Sequence, residues 1–148
     1  MSAPEKTADK APVPTEAEAR ARLHSAPFAR FFGVDVELRG DELTLVLPYR
    51  EDLIGNVMLP ALHGGVLGAL LEIAALTTIS LRTRQAHMPK TIDITVDYLR
   101  SGRPVATYAR AKVTRLGRRI ASVRAEAWQF ERADPIAALH GHFLLTPE

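Results

Sequence analysis

Residues 63–81 read HGGVLGALLEIAALTTISL, and this stretch decides the architecture. Between Gly64 and Leu81 the only ionisable side chain is Glu72, and apolar residues occupy every angle around a helix drawn through the segment. A helix apolar around its whole circumference is buried by the rest of the protein. The competing reading is a membrane span. It fails because the run carries three glycines, two threonines, a serine and a central glutamate, and a charge at mid-membrane costs about 3 kcal/mol. The low-charge segment extends upstream: residues 53–81 hold two ionisable groups in 29 positions, His63 and Glu72.

Downstream of Pro89 the period changes from helix to strand. In TIDITVDYL, Ile92, Ile94, Val96 and Tyr98 share one face, and Thr91, Asp93, Thr95 and Asp97 share the other. Val105–Arg115 alternates in the same way. The turn RLGRR, centred on Gly117, leads into Ile120–Phe130, and the turn ERADP leads into Ile136–Leu145. Upstream, Val34–Arg39 and Leu43–Pro48 read as two strands joined by the tight turn Gly40–Asp41. Thr15-Glu16-Ala17-Glu18 is a capping box that opens a short helix to about Ser25. Pro27 restarts the chain, and Phe28, Phe31 and Phe32 form an apolar face that docks on the body. Residues 1–14, rich in Ala, Pro and Lys, read as a mobile tail. Four consecutive antiparallel strands, two earlier ones and one long apolar helix define an α+β domain over 15–148, with the sheet wrapped around the helix.

The 148 residues suffice for one domain, and 47% hydrophobic with 24% charged residues is a globular balance. The absence of cysteine removes disulfides, thiolate metal sites and cysteine nucleophiles, and agrees with a reducing compartment. No charged segment followed by an apolar run opens the chain, so a cytoplasmic location is expected. The net charge of +2 conceals an asymmetry: residues 1–81 hold 7 Lys/Arg against 11 Asp/Glu, and residues 82–148 hold 12 against 6. Arginine supplies 15 of the 19 cations, and its planar fork suits phosphate or carboxylate recognition, although a solvated basic sheet face explains the same composition. Nucleic acid is the weaker partner, since the basic half has few aromatics and no recognition-helix or single-strand-binding motif.

No GxSxG elbow, Walker A or post-strand GxGxxG is present, which argues against a serine hydrolase of the usual α/β type and against nucleotides bound in those ways. His140 and His142 lie two apart on one strand face, but no third ligand accompanies them and no metal is expected. Glu72 is different. A carboxylate inside a buried helix must be paired, hydrogen-bonded, protonated or functional. An ion pair with a sheet arginine is the structural alternative, and a nucleophile or general base in a partly dry cleft is the functional one. Nine residues upstream His63 opens the helix, and Gly64 and Gly65 there permit close approach of a ligand and leave backbone N–H groups at the positive helix end.

Together NVMLPALHGGVLGALLE (56–72), TIDITVDYLR (91–100) and RLGRR (115–119) resemble the hotdog-fold acyl-CoA thioesterases of the phenylacetate-pathway (PaaI) type, over about residues 28–146. The resemblance implies that Glu72 activates water or attacks directly, and that Gly65, with Gly64, supplies the amide that polarises the thioester carbonyl. It further implies that His63 shapes the turn, that Asn56 lies near the attacking water, and that Thr91 is a hydroxyl residue near the carboxylate. Many relatives carry aspartate where this chain has Glu72, which leaves nucleophile and base both open. Arg100 and Arg103 at one turn, with Gly117, Arg118 and Arg119 at the next, are the candidate holders of the coenzyme A phosphates. Leu67, Leu70, Leu71, Ile73 and Leu76 are the expected acyl pocket wall.

Acyl-CoA hydrolysis without a cofactor is therefore the leading expectation. A hotdog hydratase or dehydratase and a non-catalytic acyl-CoA-binding module are the alternatives. Gly65 and Glu72, seven residues apart, are separated by about 10 Å along one helix, too far for both to serve one carbonyl. The expected assembly is a homodimer with shared sites, in a dimer of dimers, as the resemblance also implies.

Overall fold

The structure is a computed structural model that describes residues 13–85 and 87–145. All but the last two residues of the 1–14 tail, and the final three residues of the 15–148 domain, lie outside the described residues. The chain forms α1 (Glu16–His24), α2 (Pro27–Phe32), β1 (Asp35–Arg39), β2 (Glu42–Leu47), β3 (Ile54–Asn56), β4 (Ala61–Leu62), α3 (Gly64–Thr83), β5 (Lys90–Tyr98), β6 (Thr107–Leu116), β7 (Ile120–Trp128) and β8 (Ala137–Leu144). Six strands make one antiparallel sheet in the order β1-β2-β6-β7-β8-β5, and β3 and β4 pair separately. The sheet curls around α3, giving the α+β hotdog arrangement expected.

Local chemistry explains most boundaries. Thr15 caps α1 with both bonds of the capping box: its N–H donates to Glu18 Oε2 at 3.0 Å, and its Oγ1 accepts Glu18 N–H at 3.1 Å. Arg39 pairs with Glu42 across the Gly40–Asp41 loop, where Gly40 takes φ +62°. The long inner residues of the sheet and α3 interlock: Leu45, Leu70, Leu71, Ile79, Val123 and Phe143 are all within 2% of complete burial.

Four expectations need correction. The phenylalanine face of α2 does not dock as a unit, because Phe28 and Phe31 are 53% and 77% exposed while Ala29 and Phe32 are buried. A helix of six residues offers one inward stripe, and Ala29 and Phe32, three apart, take it; Phe28 stacks on Phe32 from outside at 5.5 Å. Sequence order is not sheet order: β5 does not join β6 but crosses to the free edge beside β8. The face assignment in β5 also changes. A bulge between Thr91 and Asp93 pairs Thr91 with inward-facing Phe143 and Asp93 with outward-facing His142, so Thr91 belongs to the helix side. Finally, α3 is not covered all round. Gly65, Gly68, Ala69, Glu72 and Leu76 form a partly open strip, whereas Leu67, Leu70, Leu71, Ala74 and Ala75 are buried. The Cβ position of Gly68 faces Tyr98 and Val96, so the strip lies just past β5, the free edge of the sheet.

Candidate active site

The site is assembled around the first turn of α3. Leu62 N–H donates to Gly102 O and His63 N–H donates to Leu53 O, both at 2.9 Å, so two segments pin the chain as it enters the helix. His63 is the N-cap, in extended backbone conformation, and its Nδ1 accepts Gly65 N–H at 2.8 Å. A ring nitrogen that accepts carries no proton, so neutral His63 bears its hydrogen on Nε2. Gly65 N–H is thereby engaged within the chain. Gly64 N–H, one peptide earlier, makes no hydrogen bond among the described residues, and it is the amide left open at the positive end of the helix.

Two residues that the sequence reading assigned no role at the site complete this turn. A Cβ on Gly55 would lie 2.6 Å from His63 Cα, so only glycine lets β3 run this close to the cap. Tyr98, at the end of β5, donates its hydroxyl to Gly64 O at 2.9 Å, and its ring lies 3.2 Å from where a Gly64 Cβ would stand. Strand alternation placed Tyr98 on one face with Ile92, Ile94 and Val96. The signal overlooked was its polar tip, which finds a main-chain partner although the side chain is 56% exposed.

Glu72 lies two turns further along α3, half-buried on the open strip. Among the described residues it makes no ion pair and no hydrogen bond, so the alternative of a structural pair with a sheet arginine is not what the fold contains. Arg110 serves Thr44 and Glu42, and Arg100 serves Asp134. Asn56 stands at the end of β3, and its Oδ1 accepts Met58 N–H at 3.0 Å and Leu59 N–H at 3.3 Å, holding its own loop. Thr91 pairs with Phe143, which packs with Ala75 and Ile79 of α3, so within one chain it lies beyond Glu72 and far from Gly64.

The two arginine turns, expected together, are separated. The segment bearing Arg100 and Arg103 precedes β6, while Gly117, Arg118 and Arg119 follow it, so one antiparallel strand sends them to opposite ends of the sheet. The nine residues of the adjoining β7 put about 26 Å between those ends. Near the helix start, a cleft of about 350 Å³ is lined by Gly64, Tyr98, Leu99, Arg100 and Ser101. It meets a cleft of about 830 Å³ bounded by Leu59, Arg100, Arg103, Phe130 and Asp134. Arg100 bonds Asp134 at 3.3 Å, and Gln129, nearly buried, accepts Arg103 N–H and donates to Arg103 O, each at 2.9 Å. The expected acyl wall is mostly core: Leu67, Leu70, Leu71 and Ile73 are at most 8% exposed, leaving only Leu76 of that set reachable. His142 Nδ1 lies 2.8 Å from Asp93 Oδ1 on the outer sheet face, remote from this turn.

Comparison with known proteins identifies the family. The family model for the thioesterase superfamily matches residues 59–136, which span β4, α3, β5, β6 and β7. The chain is 35% identical over 119 residues, 70% of its length and 76% of the relative's, to the medium/long-chain acyl-CoA thioesterase YigI of Escherichia coli (strain K12). A crystal structure from Pseudomonas aeruginosa superposes with TM-score 0.78 at 27% identity, covering 90% of this chain and 100% of that one. Another, from Chromobacterium violaceum, superposes with TM-score 0.69 at 33% identity, covering 88% and 96%. With the family model matched over residues 59–136 and a relative 35% identical, the chain belongs to the thioesterase superfamily, the thioester-hydrolysing proteins of the hotdog fold.

Proposed function

We propose that this protein hydrolyses acyl-CoA thioesters to a free acid and coenzyme A, through sites that two copies of the chain share. The observation that carries the reading is an unpaired carboxylate on an otherwise apolar helix whose N-terminus presents an unengaged glycine amide. The thioester carbonyl oxygen sits against Gly64 N–H, at the positive helix end, with His63 Nε2–H and the Gly65 peptide beside it. Glu72 takes a proton from the water that attacks the carbonyl carbon and passes it to the departing thiolate, or it attacks directly to form an acyl–Glu72 anhydride that water then hydrolyses. Either route ends with the acyl–sulfur bond broken and the thiol of coenzyme A released.

Dimerisation follows from the open surfaces. β5 is a free edge, and the strip bearing Glu72 lies beside it. Pairing two β5 strands antiparallel about a two-fold axis covers both strips and turns the Glu72 face of each chain towards the other. The same operation brings the partner's Arg118 and Arg119 to the end of the joined sheet where Gly64, Arg100 and Arg103 lie. The phosphates of coenzyme A then have two arginine turns to bind, one from each chain. Pairing of these dimers into tetramers, the one-domain organisation of 15–148 and a cytoplasmic location belong to the same proposal. A medium or long aliphatic acyl group is supported by the YigI relative's specificity and by the apolar loop before β4, where Val57, Met58 and Leu59 are 64–92% exposed.

Thiol release from a panel of acyl-CoAs tests the activity. Steady release supports hydrolysis, saturable binding without turnover supports the binding module, and hydration of an enoyl-CoA supports the hydratase. The shared site is tested by refolding Glu72→Gln together with Gly65→Val, whose side chain would enter the space of His63 Nδ1, 2.9 Å from the glycine's Cβ position. Each homodimer is expected to be inactive, and the mixed dimer to regain one site from two intact halves. Folded mixed dimers that stay inactive would exclude a site built across the two chains.

A further inference from the structure

The first turn of α3 contains a Gly–Gly peptide, the dipeptide least able to resist a peptide flip, because neither residue has a Cβ to restrict φ and ψ. A flip would turn the Gly64 carbonyl towards the space where an amide is needed, and the positive helix end would present a negative dipole to an oxyanion. The structure holds this one peptide from both ends. Its oxygen, Gly64 O, accepts the Tyr98 hydroxyl at 2.9 Å, and its N–H, Gly65 N–H, donates to His63 Nδ1 at 2.8 Å. The two partners come from different elements, β5 and the helix cap, so rotation of the peptide breaks both bonds together. The Tyr98 ring also lies over the turn, 3.2 Å from the Cβ position of Gly64, and its hydroxyl oxygen is 3.7 Å from that of Gly68.

We propose that Tyr98 is a positioning residue for catalysis: its hydroxyl locks the Gly64–Gly65 peptide and thereby keeps the Gly64 carbonyl turned away from the substrate oxygen that Gly64 N–H, on the preceding peptide, receives. The proposal rests on the hydrolase reading above. Tyr98 touches no reacting atom. It acts through the peptide, and because a carbonyl that accepts a hydrogen bond polarises its own amide, it also strengthens the Gly65–His63 bond that completes the lock. Tyr98 sits on the free edge strand, so the lock joins the helix start to the same strand that the proposed dimer pairs.

Tyr98→Phe keeps the ring and removes only the hydroxyl. The Gly65 amide in a ¹H–¹⁵N spectrum of labelled protein is expected to shift and to exchange faster with solvent, while the rest of the spectrum reports an intact fold. With acyl-CoA, kcat is expected to fall about tenfold, short of the loss from deleting an oxyanion donor outright, with KM within about twofold. An unchanged Gly65 amide would overturn the proposal by showing that the bond is not made. A shifted amide with kcat unchanged would overturn it by showing that holding this peptide has no part in turnover. If the wild type releases no thiol from any acyl-CoA, the hydrolase reading fails and the catalytic role falls with it. The amide measurement then still decides whether the lock itself exists.

Discussion

The two ends of α3 are built by different physics. At the start, His63, Gly64, Gly65 and Tyr98 are joined by hydrogen bonds to main-chain groups, and the surface is open to two clefts. At the other end, Ala75 and Ile79 pack with Val113, Ala121, Val123 and Phe143 in a cluster at most 8% exposed. A core buries backbone amides that cannot then reach a ligand, whereas an active site needs an amide that nothing covers. The helix separates the two requirements along its length, with stability concentrated at the end that does no chemistry.

The largest effect expected of a single substitution is at the dry end. Ile79→Ala removes a fully buried side chain and leaves a cavity, lowering unfolding free energy by about 3 kcal/mol in denaturant titrations. Activity per folded molecule is expected to be unchanged; a matching fall in kcat would mean that the two ends are not independent. Glu72→Gln should do the reverse. It keeps size, removes charge and breaks no bond within the chain, so kcat falls at least about 10²-fold with melting temperature and substrate binding little altered. A variant that melts much lower yet turns over normally would assign Glu72 to structure.

Arg118 and Arg119 sharpen the comparison across the proposed dimer. They lie at the dry end of their own chain, so a role in binding requires the partner's site. Replacing both with alanine is expected to raise KM for acyl-CoA about threefold to tenfold, and to leave a short thioester without the nucleotide unaffected. An equal change for both substrates would point to destabilisation.

The smallest effect is acidic. Leu38 N–H, and then Arg20, hold the Glu16 carboxyl below its ordinary 4.5. Burial pushes Asp35 up, but Arg20 and Val36 N–H outweigh it and hold Asp35 below its usual 3.8. Both folded-state values are depressed, so this clasp between α1 and β1 stabilises above the unfolded values and is lost as pH falls through the folded ones. The melting-temperature difference between wild type and Glu16→Gln is therefore expected to be constant above about pH 5.5 and to shrink below 4.5. A difference that grows towards acid would contradict the clasp.

Residues 63–81 by themselves determine a long helix that the rest of the protein must bury over most of its surface, because water does not accept that much apolar area around one axis. The capping box, the Gly40 turn and the alternating strands were equally legible, since each depends on bonds between near neighbours. Glu72, His63 and the glycines stood out for the same reason: they break a local pattern. Tertiary structure alone decided the rest. Strand alternation has period two and cannot reveal that β5 crosses to the far edge or that a bulge pairs Thr91 with Phe143. Nor does spacing show that the arginine turns point to opposite ends, that four of the leucine-strip residues are core, or that Tyr98 holds a peptide 34 residues away. These are contacts between distant segments. They are selected by which arrangement closes the core and satisfies buried polar groups, a condition on the whole chain and not on any stretch of it.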